Sequence, residues 1–95
     1  MVLMPFQAQI HITLKPSIFD PAGAAIEASL HQLGHDQVAQ VRLGKIITFV
    51  VDALEAETAR QQATQMCEQL LANPVIEHYT VDIQPVGSQR QAVQA

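Results

Sequence analysis

Phe6, Ala8, Ile10, Ile12 and Leu14 alternate with Gln7, Gln9, His11 and Thr13, the period-two pattern of a strand that buries one face. The period then changes. Asp20-Pro21 reads as an N-cap followed by proline at the first helical position, because the carboxylate accepts free backbone N–H groups and proline has none to leave unpaired. Ile26, Leu30 and Leu33 fall at helical spacing beside Ala22, Ala25 and Ser29, and Gly34 suits a left-handed C-terminal residue. The spacing predicts a helix over about Pro21 to Leu33.

Val38 to Leu43 and Ile46 to Asp52 are two β-branched-rich runs around Gly44-Lys45, a pair that fits a type II′ hairpin turn. A second helix is predicted over roughly Glu55 to Ala72. Ala59, Ala63, Met66, Cys67 and Leu70 form its apolar stripe, Arg60, Gln61, Thr64, Gln65 and Glu68 its wet face, and Asn73-Pro74 its end. Val75 to Val86 alternates loosely, with Tyr79, Val81 and Ile83 on one side and His78, Thr80 and Asp82 on the other, as a last strand does. The Gln-rich stretch from Gly87 to Ala95 reads as a flexible tail, which leaves residues 1–86 as a single domain.

The order β-α-β-β-α-β predicts an α+β, ferredoxin-like sandwich: a four-stranded antiparallel sheet with two helices on one face. The other face stays open. Ile46 and Val50 alternate with Ile47, Phe49 and Val51, so Ile46, Ile47, Phe49 and Val50 cannot all meet the helices and form a candidate self-association face.

Composition narrows the function. The 95 residues suffice for one small domain, and 48% hydrophobic with 15% charged residues describes a folded chain. Five Lys and Arg against nine Asp and Glu give a net charge of −4, the wrong sign for neutralising a phosphate backbone. The lone Cys67 has no partner for an internal disulfide, no apolar run approaches the ~18 residues of a membrane span, and Met1 to Phe6 lacks a basic leader. A cytoplasmic location is the expectation.

Few groups are arranged for chemistry. His31 and His35 have the i, i+4 spacing of a helical metal pair, but Gly34 ends the helix between them. His11 and His78 fall on neighbouring strands without a third ligand, and Cys67 lies in an apolar stripe with no base to activate it. Lys15 to Pro21 occupies the place of an acylphosphatase phosphate loop, yet two prolines remove donors, Asp20 repels an anion and no arginine is present. Asp52, Glu55 and Glu57 suit the positive end of the second helix. Arg42 to Val50 imitates the third-strand signature of an RNA-recognition motif, without the projecting aromatic rings that stack on bases. No catalytic, cofactor-binding or metal-ligating residue is predicted. Arg42 and Lys45 flank Gly44 at the expected turn, a positive point in an acidic chain, and Arg42, Gly44 and Lys45 form a candidate partner contact.

Three segments together resemble a known family. Leu14-Lys15-Pro16-Ser17-Ile18-Phe19-Asp20-Pro21-Ala22-Gly23, then Val41-Arg42-Leu43-Gly44-Lys45, then Met66-Cys67-Glu68-Gln69-Leu70-Leu71-Ala72-Asn73-Pro74-Val75-Ile76-Glu77-His78-Tyr79 are similar to PurS, the small subunit of phosphoribosylformylglycinamidine synthase. The resemblance runs from about Ala8 to Val86, in order and in register. It implies a non-catalytic place in de novo purine synthesis, where formylglycinamide ribonucleotide, ATP and glutamine yield formylglycinamidine ribonucleotide, ADP, phosphate and glutamate. It further implies a homodimer or homotetramer that bridges a glutaminase subunit, PurQ, and a synthetase subunit, PurL, and supports ammonia transfer. ATP and magnesium would serve the complex, with no cofactor on this subunit. Two other classes share the order of elements: an ACT-like regulatory domain that binds a small molecule, and an RNA-binding module.

Overall fold

The structure, a computed structural model, describes residues 2–88. A strand β1 (Met4–Leu14) is followed by a helix α1 (Pro21–Gln32), a strand β2 (Gly44–Ala53), a helix α2 (Ala56–Met66) continued by a π-helical turn (Cys67–Leu71), and a strand β3 (Glu77–Pro85). The sheet is three-stranded and antiparallel in the order β2-β1-β3. The flexible tail expected from Gly87 onward lies outside the described residues from 89 on; Val86–Ser88 forms a 3₁₀ turn.

The alternation in β1 does what its period requires. Phe6, Ala8, Ile10 and Ile12 are buried, and Ile10 stands opposite Ile47 on one side and Val81 on the other. One helix covers that face. α2 packs across all three strands through Ala59, Ala63 and Cys67, which recur every fourth residue and are fully buried. Their small side chains let the helix lie close to the strands, and Ile47, Phe49, Val51, Leu71, Tyr79 and Val81 fill the margins. The predicted stripe fails at Met66, which is 36% exposed, and at its last position. Ala72 N–H donates to the Cys67 carbonyl at 3.1 Å, an i→i+5 bond that inserts one residue into the turn. Leu71 therefore continues the buried face and Leu70 is 81% exposed.

The hairpin expected across Gly44-Lys45 does not form. Gly44 opens β2 opposite Thr13, and residues 38–43 belong to no strand of the chain, so the sheet has three strands instead of four. Gly44 is needed for lateral closeness: a Cβ there would lie 2.8 Å from Thr13 Cγ2 and 3.1 Å from the Ile12 carbonyl oxygen.

The second correction concerns α1. Its caps are as predicted, with Asp20 accepting from Gly23 N–H and Gly34 at φ 100°. It does not lie over the sheet, because no fourth strand extends the sheet beneath it. It runs beside residues 41–42 as an arm, with Ile26 at 40% and Leu33 at 74% exposure. The result is an elongated chain, with a radius of gyration of 17.0 Å. A compact domain of this length would have roughly 12 Å.

Candidate functional site

The arm is fastened at one joint. Asp20 is 5% exposed, and its two oxygens serve different segments: Gly23 N–H donates to Oδ1 at 2.9 Å and Leu43 N–H donates to Oδ2 at 2.7 Å. One carboxylate thus caps α1 and holds the chain as it enters β2. Val41 N–H donates to Glu27 Oε1 at 3.1 Å, about two turns along α1 from Asp20. These two bonds satisfy the N–H groups of Val41 and Leu43, which a neighbouring strand would otherwise have claimed. Arg42 closes the joint from the other side, its Nη2 donating to the carbonyls of Lys15 at 3.0 Å and Ile18 at 2.9 Å.

The N–H donors from Leu43 and Gly23 hold the Asp20 carboxyl below its ordinary value of 3.8, with the nearby Arg42 charge adding to the effect. A carboxylate with a lowered folded pKa stabilises the fold above its unfolded value, and that stabilisation is lost as pH falls through the folded one. Thermal melts should therefore decline in acid below about pH 4, and Asp20→Asn should flatten that decline while lowering the melt at neutral pH. An Asp20→Asn chain with an unchanged acid profile would place the sensitivity elsewhere.

The three residues of the predicted partner contact take different places in this arrangement. Arg42 is committed to loop carbonyls, Gly44 is paired within the sheet, and Lys45 stands exposed opposite Ile12 at the start of β2. The predicted self-association residues divide between two faces. Ile47 and Phe49 pack against the core, whereas Ile46 at 55% and Val50 at 56% exposure lie on the open face. His11 and His78 share that face but not a register pair, since His11 faces Thr80 and His78 faces Thr13. His31 Nε2 donates to the Val38 carbonyl at 2.7 Å, a tie from the end of α1 to the returning chain.

No catalytic constellation emerges among the described residues. Burial pushes the Cys67 thiol up, with the charge of Glu68 adding to the effect, the opposite of what a nucleophile needs. Tyr79 donates to Glu68 at 2.5 Å, and that bond together with burial pushes its hydroxyl up to about 12. Among the described residues no group of three His, Cys, Asp or Glu is placed to hold a metal ion, and no helix is long and apolar enough to cross a membrane. Sequence reasoning missed the second role of Asp20 and the role of Glu27, whose partners lie 23 and 14 residues away. The only local sign was the N-cap.

Known proteins share this architecture. The family described as PurS, phosphoribosylformylglycinamidine (FGAM) synthase, matches residues 7–85. Phosphoribosylformylglycinamidine synthase subunit PurS of Synechocystis sp. is 50% identical over 78 residues, covering 82% of this chain and 78% of that protein. Among solved structures, Methanocaldococcus jannaschii PurS superposes with a TM-score of 0.78 at 31% identity, over 85% of this chain and 98% of that one. A chain in the structure of PurLQS from Thermotoga maritima gives a TM-score of 0.77 at 35% identity, over 84% of this chain and 98% of that one. With a family match spanning the sheet, the arm and α2, the chain belongs to the PurS family of phosphoribosylformylglycinamidine synthase subunits.

Proposed function

We propose that this chain is the PurS subunit of phosphoribosylformylglycinamidine synthase, an ATP-dependent ligase complex of purine biosynthesis, and works there without catalysing a step itself. The observation that carries this reading is the family match across the described fold, joined to the likeness to a chain of PurLQS. The partners are PurL and PurQ. In this reading the glutaminase releases ammonia, the synthetase uses ATP and magnesium to activate the amide oxygen of formylglycinamide ribonucleotide, and PurS keeps the two docked. Docking matters because ammonia released into water is protonated and diluted. The complex works in the cytoplasm, and residues 1–86 act in it as one domain. Affinity purification of the tagged chain from its own cells should bring down a glutaminase and a synthetase in fixed proportion. Recovery of the chain without either would refute the assignment.

Self-association completes the reading. An arm whose apolar residues are uncovered, and a sheet whose β2 edge is unpaired, among the described residues, are stabilised by a second copy. Ile46 and Val50 supply the outward part of that contact, Ile47 and Phe49 support it from beneath, and the four-stranded ferredoxin-like arrangement arises if residues 38–43 pair with the second copy. Lys45 is then the cation of the candidate contact with a large subunit, with Gly44 letting β2 start close to β1 and Arg42 holding the joint. Lys45→Glu should leave the melting temperature within a degree or so, since exposed charges contribute little. It should raise the concentration of this chain needed to saturate glutamine-dependent synthesis with PurL and PurQ. An unchanged titration would exclude Lys45 from the contact.

A further inference from the structure

The joint between α1 and the sheet leaves a groove of about 530 Å³, a volume that suits a small molecule. Neither the scaffold role nor the contact at Lys45 uses it, and a second copy paired with residues 38–43 would lie on the edge away from α1, since the N–H groups of Val41 and Leu43 already point to Glu27 and Asp20. Leu14, Pro16 and Phe19 give it an apolar wall, and Phe19 is 73% exposed. Glu27, Gln40 and Arg42 supply its polar side. Glu27 engages Oε1 with Val41 N–H, which leaves Oε2 as an acceptor; Arg42 engages Nη2 with two carbonyls, which leaves Nη1 and Nε as donors. Both charges are therefore anchored by backbone before any ligand arrives, the pre-organisation that binding sites need. Gln40 holds a left-handed backbone at φ 58°, and non-glycine residues kept in that region cluster at ligand clamps.

The charge pattern selects the ligand. A phosphate is disfavoured by Asp20 and Glu27, and by Pro16, which contributes no N–H. A simple cation is opposed by Arg42, and a wholly apolar ligand would desolvate Glu27 and Arg42 without compensation. We propose that the groove binds a free α-amino acid, its carboxylate on the guanidinium of Arg42, its ammonium on Glu27 and its side chain against Phe19 and Pro16. Such a zwitterion satisfies both charges with charge-assisted hydrogen bonds.

The test is an amide-shift titration of the full chain by NMR with L-glutamine, L-leucine, and the N-acetyl and methyl ester derivatives of each. Saturable shifts at Gln40, Val41 and Arg42 are expected with at least one free amino acid at millimolar concentration. Both derivatives of that amino acid should bind at least about tenfold more weakly, since each removes one charge. Glu27→Gln keeps an acceptor for Val41 N–H and removes the charge, so it should preserve the rest of the spectrum and weaken binding by about tenfold or more. The absence of saturable shifts, equal binding of the derivatives, or undiminished binding by Glu27→Gln would overturn the proposal. A groove filled by a second copy gives the first of these results. Co-purification of the large subunits is unaffected by any of these outcomes, so this site and the assembly role stand or fall separately.

Discussion

Gly23→Val should detach the arm while leaving the sheet folded. Gly23 is buried where α1 crosses the returning chain, and a Cβ there would stand well inside contact distance of the Val41 carbonyl oxygen. It would also lie 2.8 Å from Asp20 Oδ2 and 3.1 Å from the Arg42 Cα. Two of these neighbours are backbone, which cannot swing away as a side chain does. The returning segment must move, and the bonds from Leu43 to Asp20 and from Val41 to Glu27 go with it. Overpacking at such a crossing costs about 3 kcal/mol, or roughly 10–20 °C of melting temperature for a domain of this size. Hydrogen exchange should rise across residues 20–43 and stay slow in β1. A wild-type melt and exchange pattern would show that the arm tolerates displacement.

Ile10→Ala should remove a large share of the stability of the whole chain. Ile10 has no exposed surface, sits on the central strand and touches both neighbouring strands through Ile47 and Val81. Half of the buried apolar core is alanine: Ala8, Ala53, Ala59, Ala63 and Ala72. Few large side chains therefore carry the burial. Removing one costs about 3–4 kcal/mol from the lost transfer free energy and the cavity left behind. A chain of this length has on the order of 5–14 kcal/mol in total. Urea titration should show the midpoint displaced accordingly, whereas Leu70→Ala, at a site 81% exposed, should shift it little. Equal effects of the two substitutions would contradict the division made by the π-helical turn.

What the sequence disclosed follows the range of the interactions involved. β1 was legible because its alternation and its burial are the same fact, and the ends of α1 were legible because Asp20, Pro21 and Gly34 act on their own backbone neighbours. The stripe of α2 was legible at Ala59, Ala63 and Cys67 but not at the exposed Met66, and it was lost after Cys67, since a π-helical turn moves the buried face from Leu70 to Leu71 without changing composition. The hairpin was misread for a different reason. Gly44 between two β-branched runs permits either a turn or a close-packed strand start, and the choice rests on Asp20 and Glu27 taking the N–H groups of Leu43 and Val41. Those bonds join positions that no local period connects. The placement of α1 followed from the same misreading, because a fourth strand would have provided the surface beneath it. The candidate contact at Arg42 and Lys45 was visible as charge alone, and only the fold separates the committed Arg42 from the exposed Lys45.

The role as a docking subunit is tested most directly by the nitrogen source. Formylglycinamidine ribonucleotide formation by purified PurL and PurQ should be measured with and without this chain, once with glutamine and once with ammonium salt at high concentration. Glutamine-dependent synthesis should require the chain, and ammonium-dependent synthesis should proceed at the same rate in its absence, because ammonia supplied from bulk needs no docked glutaminase. Glutamine-dependent synthesis at full rate without the chain, or loss of the ammonium-dependent rate when it is withheld, would contradict this account.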